Sequence, residues 1–229
     1  PCTAKKHELG RDDQGADGYQ DVDYSITTRE LAKMIKMAGI EFMKLEDEPY
    51  DNPLGEYTGA GVIFGATGGV MEAALRTAVE KLTGEELIDL DFVDVRGVKG
   101  VKEAEYDLQG KKVKVAVASG LANARIIMDK VKAGEADYTF IEIMGCPGGC
   151  VNGGGQPHVD SQVRNFIDVR AERAKGLYTL DKNAPIRKAH ENPVIIKMYD
   201  DYLGVPGGEK AHHLLHTSYV NRGVNKQAD

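Results

Sequence analysis

The sequence has few cysteines, no tryptophan and no long apolar stretch. It holds three cysteines in 229 residues, an odd count that is too small for a secreted disulfide scaffold of this length. No apolar run approaches the roughly 20 residues that cross a bilayer, and the first residues do not read as a signal peptide. Basic residues are fewer than acidic ones: 29 Lys and Arg and 36 Asp and Glu give a formal charge of −7. We therefore expect a cytoplasmic protein with reduced thiols that binds neither a membrane nor nucleic acid.

Glycine is abundant instead. Many of the 27 glycines fall in two runs, at 59–69 and at 145–155. Glycine is used where the backbone adopts a positive φ or approaches another group closely. The two runs therefore predict two loops that are shaped around a ligand.

The hydrophobic pattern predicts an α/β fold with a parallel sheet. Valines alternate with other residues at 113–117, an amphipathic helix follows at 121–133, and a second strand is expected at 138–144. A strand–helix–strand unit of this length requires parallel strands. Cys146 then falls just past the carboxyl end of a parallel strand, where open α/β sheets place their ligands.

Further elements are expected on either side of this βαβ unit. Thr27 and Glu30 form a capping-box pair that predicts a helix ending at Gly39. A short strand at 62–64 is expected to enter a glycine turn and a helix; nucleotide binding is disfavoured there because neither GxGxxG nor a P-loop ending is present. The pattern also predicts a strand at 88–92, an edge hairpin at 99–107, and helices at 162–178, 193–203 and 209–216.

The strongest chemical signal is the stretch at 145–157, which reads GCPGGCVNGGGQP. Two thiols four positions apart on a loop with almost no side chains can converge on one object. Thiolates suit zinc, copper(I) and iron–sulfur clusters. A disulfide and a structural zinc site stay open on spacing alone, although zinc prefers shorter spacing and four protein ligands. Cys2 is a candidate third ligand, with Lys5 as a cation beside it.

Two segments carry a family resemblance. The segment at 1–8, PCTAKKHE, resembles the second cysteine signature of the iron-only (FeFe) hydrogenases, and the segment at 142–157, EIMGCPGGCVNGGGQP, resembles their third. The region 61–76 and the helical tail ending near His216 are also similar to this family. The resemblance implies a catalytic domain built on the H-cluster, which is a four-iron cubane (4Fe-4S) bridged by a cysteine sulfur to a di-iron unit with CO, cyanide and dithiolate ligands. The implied reaction is the reversible reduction of protons to H2.

The resemblance also implies roles for individual residues. It makes Cys2 and Cys146 ligands of the cubane, and Cys150 a cubane ligand that bridges to the di-iron unit. Lys5 would donate a hydrogen bond to a cyanide, and we count it with Cys150 as catalytic. The other residues expected to bind the cofactor are Pro1, Phe64, Met144, Gly148, Gly149 and Gln156.

The sequence departs from the family pattern in two places. Gly145 stands where alanine is more usual, which is a small change. The first signature, a Thr-Ser-Cys-Cys-like segment that supplies the fourth cubane ligand and a proton-passing cysteine, is absent. We therefore expect residues 1–229 to form one H-cluster domain that is incomplete at its N-terminal side, with 193–229 as its helical tail. An upstream part of the same polypeptide or another subunit would supply the fourth cysteine.

Partners and a rival function follow from the same resemblance. Electrons would come from ferredoxin or from accessory iron–sulfur domains, and some relatives work with NAD-linked subunits. The alternative is a non-catalytic hydrogenase-like iron–sulfur protein, either a sensor or an iron–sulfur assembly factor. Such a protein would share the fold and the cysteines but would lack the di-iron unit.

Overall fold

The computed structural model describes residues 1–16, 18–49, 51 and 56–217. Its helices are α1 (Lys5–Glu8), α2 (Thr28–Met37), α3 (Gly59–Val62), α4 (Gly69–Thr83), α5 (Leu121–Lys132), α6 (Ser161–Arg164), α7 (Val169–Asn183), α8 (Pro193–Met198) and α9 (Glu209–Leu215). Its strands are β1 (Gly15–Ala16), β2 (Tyr19–Gln20), β3 (Val101–Leu108), β4 (Lys111–Ser119) and β5 (Phe140–Met144). Among these described helices, none has the length and apolar character needed to span a membrane. The last part of the expected tail, 218–229, lies outside the described residues.

A three-stranded sheet in the order β3-β4-β5 confirms the predicted α/β fold. β4 pairs antiparallel with β3, from Val101↔Ala118 to Leu108↔Lys111. It pairs parallel with β5, from Val115↔Phe140 to Ser119↔Met144. With α5 between them, β4 and β5 form the expected strand–helix–strand unit. The carboxyl ends of both strands therefore lie at the same edge of the sheet.

The core lies on both faces of β4. On one face, α4 contributes to a cluster of Met71, Leu75, Val95, Val113, Val115 and Val117. On the other face, α5 contributes to a cluster of Ala116, Ala118, Ala124 and Ile127. An alternation of this kind is typical of a half-buried strand. Lys112 and Lys114 are indeed exposed on the second face, whereas Ala116 and Ala118 bury the rest of that face.

Two predicted strands are wrong. Residues 62–64 belong to α3 and to a 3-10 turn at Ile63–Gly65, and Thr58 caps this helical segment by accepting a hydrogen bond from Gly61 N. A three-residue apolar run cannot distinguish a strand from a buried helical turn. Residues 88–92 form no strand either, because the Leu90 carbonyl accepts its hydrogen bond from Arg76 Nε at 2.9 Å and not from a neighbouring strand.

The predicted helices are mostly confirmed, with breaks that the pattern did not show. The capping box at Thr27 and Glu30 is present and starts α2. The helix expected at 162–178 is divided into α6 and α7, because the Asp168 side chain caps a new helix start at Val169. The helix expected at 193–203 changes from α8 to a π-helical turn at Tyr199–Leu203.

A buried ionic network joins α7 to α4. Arg76 on α4 and Asp181 on α7 are 0% and 1% exposed, and their side chains form two parallel hydrogen bonds of 2.8 Å. Glu72 accepts from Arg76 at 2.7 Å, and Arg187 donates to Asp181 at 2.7 Å. The C-terminal helices are thereby attached to the helix that packs on the sheet.

An apolar helix face is uncovered. The apolar face of α2, formed by Leu31, Met34 and Met37, is 46%, 53% and 76% exposed. Amphipathic helices usually pack such a face against another element.

Candidate metal centre

The N-terminal segment lies across the glycine-rich segment at 145–157, which we call the cysteine loop. Gly155 N donates to the Pro1 carbonyl at 2.6 Å. A Cβ atom on Gly155 would lie 2.7 Å from the same oxygen, so the close approach requires glycine. Arg29 holds the neighbouring backbone by donating to the Gln156 carbonyl at 2.7 Å. These contacts place Cys2 beside the loop that carries the other two cysteines.

Cys2 and Cys146 act electrostatically on Cys150. The three residues are free thiols, and each is partly exposed. Burial raises the pKa of the Cys150 thiol, the neighbouring Cys2 and Cys146 raise it further, and Lys5 acts in the opposite direction. The thiols of Cys2 and Cys146 therefore lie near that of Cys150. The three sulfurs are not among the described groups whose ligand atoms all lie within 4.8 Å of one another, so they do not surround a single metal ion.

The two glycine runs meet at the cysteine loop. Thr67 N donates to the Gly148 carbonyl at 3.2 Å. Gly149 adopts a φ of 97°, and a Cβ atom there would lie 2.7 Å from both Gly65 O and Thr67 N. The two glycine runs therefore pack against each other, although much of the run at 59–69 is helical. That a ligand lies between them stays a prediction.

Other predicted cofactor residues lie around the thiols. The Lys5 side chain is 62% exposed and forms an ion pair with Glu8. Met144 ends β5 and is partly buried, and its carbonyl accepts from Gly120 N at 2.7 Å. Phe64 lies within the glycine run at 59–69 and is 46% exposed. Contacts of these side chains with a cofactor stay predictions.

A cationic cavity of 710 Å³ adjoins the cysteine loop. Its wall includes 152–154 of the loop, and its charged lining consists of Arg29, Arg164, Arg170, Arg173 and Asp168. Four arginines and one aspartate give this lining a formal charge of +3, in a chain whose formal charge is −7. The cavity therefore favours anionic groups at a short distance from the cysteines.

A buried carboxylate supports the turn below the cysteine loop. Glu142 on β5 is 6% exposed, and its two oxygens accept from Gly68 N and Met71 N, each at 2.7 Å. These amides belong to the start of α4, so the carboxylate satisfies unpaired donors and complements the helix dipole. The strand that leads to Cys146 is thereby connected to the glycine run at 59–69.

A buried ammonium lies beside this carboxylate. Lys102 is 6% exposed and donates to the carbonyls of Thr67 at 3.1 Å and Gly97 at 2.9 Å. Burial lowers the pKa of Lys102 to about 8, although the charge of Glu142 opposes this change.

Lys102 is expected to make stability rise with pH in the alkaline range. Its pKa is about 8 in the folded chain and 10.5 in the unfolded chain, so the unfolded state binds more protons between these values. The free energy of unfolding should rise from pH 8 towards pH 10.5 more steeply in the wild type than in Lys102→Met. Urea unfolding at several pH values measures both curves. Parallel curves would contradict the prediction, because the variant lacks only this titrating group.

Sequence reasoning missed several residues that hold the cysteine loop. Arg173 on α7 donates to the Val151 carbonyl at 3.0 Å and to the Pro157 carbonyl at 2.9 Å. Nothing in the pattern of α7 distinguishes this arginine from a solvated one. Glu142 did carry a signal, because it is the one charged residue in the otherwise uncharged predicted strand at 138–144.

Comparisons with known families agree with this geometry. The family model described as "Iron only hydrogenase large subunit, C-terminal domain" matches residues 1–154. The model described as "Iron hydrogenase small subunit" matches residues 167–222. The chain is thus matched on both sides of the segment 155–166.

Individual relatives cover nearly the whole chain. Iron hydrogenase 1 of Clostridium pasteurianum is 51% identical over 219 residues, which are 96% of this chain and 38% of that protein. Cytosolic iron-sulfur assembly component 3 of Bos taurus is 32% identical over 225 residues, which are 96% of this chain and 46% of that protein. The solved FeFe-hydrogenase HydA1 from Chlamydomonas reinhardtii matches with a TM-score of 0.77 and 42% identity, covering 98% of this chain and 62% of that chain.

The chain thus spans less than half of the length of the two relatives and 62% of the solved chain. The matched models, the identities and the fold agree with the two cysteine signatures. The chain belongs to the iron-only (FeFe) hydrogenase family, in which it corresponds to the C-terminal part of the large-subunit domain.

Proposed function

We propose that this chain forms the C-terminal part of an H-cluster domain that reduces protons reversibly to H2. The observation that carries the proposal is the contact of the N-terminal segment with the cysteine loop. Because of this contact, Cys2 lies near Cys146 and Cys150. The bound H-cluster would supply the redox chemistry of this reaction. The chain's own residues would bind the cluster, shape its surroundings and admit electrons.

The donor set fits such a cluster. Three thiols are the soft ligands that an iron–sulfur cubane takes. The loop around them presents mostly backbone, so a large inorganic group can approach closely without meeting side chains. Cys2 and Cys146 would bind the cubane, and Cys150 would bind it and bridge to the di-iron unit. Lys5, on the short helix that follows Cys2, would serve as the hydrogen-bond donor.

A fourth thiolate must come from elsewhere. A cubane takes four thiolates, and this chain has three cysteines. The open apolar face of α2 supports a further segment that packs here. We infer that an upstream part of the same polypeptide or another subunit covers this face and brings the fourth cysteine.

The cationic cavity is a candidate docking site for an acidic electron donor, either a ferredoxin or an accessory iron–sulfur domain. Arg164 has no partner among the described hydrogen bonds and ion pairs, and Arg29 and Arg173 donate to carbonyl groups that leave their charge uncompensated. Electron transfer from an acidic ferredoxin should therefore weaken as salt increases, because salt screens exposed charges. Activity with a small neutral reductant is the control. Equal salt dependence with both donors would contradict the assignment.

An NAD-linked subunit and a cytoplasmic location stay predictions.

The direct test compares the isolated chain with the complete domain. The 229 residues alone are expected to retain no stable cluster and to produce no H2, since one cubane ligand is missing. The complete domain should hold about six irons and show infrared bands of CO and cyanide. Hydrogen production by the isolated chain after reconstitution with the di-iron cofactor would contradict the prediction.

The second candidate function is a non-catalytic role in iron–sulfur assembly. The relative whose name states this role is 32% identical over 96% of this chain. Such a protein would carry iron–sulfur clusters without the di-iron unit. Four irons per domain and no infrared bands of CO or cyanide would therefore favour this function over the hydrogenase.

A further inference from the structure

Ser119 lies directly below the cysteine loop, at the carboxyl end of β4. It is 2% exposed. Its hydroxyl accepts from Gly148 N at 2.7 Å and lies 3.4 Å from the Cys146 carbonyl and from Thr67 Oγ1. One proton and two lone pairs suffice for these three partners if Thr67 donates and Cys146 accepts.

The backbone of Ser119 is itself fixed by the sheet edge. Its N–H donates to the Gly100 carbonyl at 2.8 Å, and its carbonyl accepts from Asn123 Nδ2 at 2.6 Å. The next amide, of Gly120, donates to the Met144 carbonyl of β5 at 2.7 Å. The hydroxyl is therefore held by both parallel strands.

Few side chains hold the backbone of 146–150, the part of the cysteine loop between its two cysteines. Gly148 and Gly149 adopt φ values of 87° and 97°, which L-residues with side chains rarely adopt. Among the described side chains, Ser119 and Asn152 are the ones that hydrogen-bond to the backbone of 146–150. Asn152 is exposed and reaches the Pro147 carbonyl, so Ser119 supplies the buried contact.

We propose that the Ser119 hydroxyl is a positioning group that fixes the loop between Cys146 and Cys150 and thereby tunes the iron–sulfur cluster. Ser119 hydrogen-bonds to the backbone of Cys146 and Gly148, so it acts through the loop. This inference rests on the proposed function for the cluster, but the arrangement of the loop belongs to the protein alone.

The Gly148 amide explains how the cluster is affected. This N–H is committed to Ser119 Oγ in the folded chain. Without the hydroxyl, the amide has lost its buried acceptor and becomes available to other acceptors, including a cluster sulfur. Hydrogen bonds to the sulfurs help to set the reduction potential of an iron–sulfur cluster, and added donors stabilise its more negative, reduced state.

The experiment uses the complete domain, which is this chain together with the segment that supplies the fourth thiolate. In the cluster-free form, Ser119→Ala should raise the rate at which iodoacetamide alkylates Cys146 and Cys150 by about tenfold. The reason is that loss of one buried hydrogen bond shifts the local opening equilibrium of the loop by about this factor. In the loaded form, a redox titration followed by electron paramagnetic resonance should give a more positive potential for the cubane. Ser119→Thr keeps the hydroxyl and should restore both quantities.

Asn192→Ala is the matched control. Asn192 is 7% exposed and also accepts a short backbone hydrogen bond, from Val194 N at 2.9 Å, and its described partners all lie outside the cysteine loop. It should lower stability without changing the alkylation rate or the potential. An unchanged value of either quantity in Ser119→Ala, or the same change in Asn192→Ala, overturns the proposal. A domain without iron would refute the proposed function, while the alkylation rates would still decide the role of Ser119 in the loop.

Discussion

Cys150→Ser is expected to remove the di-iron unit from the complete domain and to reduce H2 production to background. Serine keeps its proton at neutral pH and does not replace a thiolate as a soft ligand. Because Cys150 is the residue expected to connect the two parts of the cluster, its loss should affect both. Iron content and infrared bands of CO and cyanide measure retention of the cluster, and gas chromatography measures H2.

Lys5→Met gives the comparison that makes this result specific. The Lys5 side chain is 62% exposed and forms its ion pair with Glu8 on the surface, so the substitution removes one donor and no covalent link. Loss of one hydrogen bond to a charged group weakens binding by about 1.5–3 kcal/mol. We therefore expect Lys5→Met to lose only part of its cofactor. If both variants retain the same amount of cofactor, the assignment of Cys150 as the bridging ligand is wrong.

The sequence predicted the elements whose signals are local. The capping box of Thr27 and Glu30 spans four consecutive residues. The alternating pattern that predicted β4 spans five. The parallel pairing of β4 with β5 followed from the length of the helix between them. The position of Cys146 past a strand end followed from this pairing, so the most important part of the site was predictable.

The contacts that hold the site were not predictable, because their partners are distant in the sequence. Ser119 and Gly148 are separated by 29 positions, and Arg29 and Gln156 by 127. A serine at a strand end and an arginine in a first helical turn are common, so neither residue type shows its role. The strand expected at 88–92 failed for the same reason, since the arginine that binds its backbone lies 14 positions away.

The buried network between α4 and α7 should dominate the stability of the chain. Asp181→Ala removes the partner of Arg76 and leaves a guanidinium that is 0% exposed with Glu72 as its remaining carboxylate. Breaking a buried ion pair by removing one partner costs about 3–5 kcal/mol. Urea unfolding of the complete domain measures this loss of free energy. Asp201→Ala, which breaks an exposed pair with Lys197, should leave the stability nearly unchanged, because solvent screens such a pair.

The shape of the cysteine loop depends on the position of α7, which the same network fixes. Arg173 on α7 holds two carbonyls of the cysteine loop, and α7 is attached to α4 through Asp181. Asp181→Ala should therefore raise the alkylation rate of Cys150 together with the loss of stability. The double variant Arg76→Met with Asp181→Leu replaces the charges by apolar groups, which is often neutral for a buried pair. It should recover most of the stability and the protection of Cys150. If the double variant is as unstable as Asp181→Ala, the cost arises from altered packing and not from the unpaired charge.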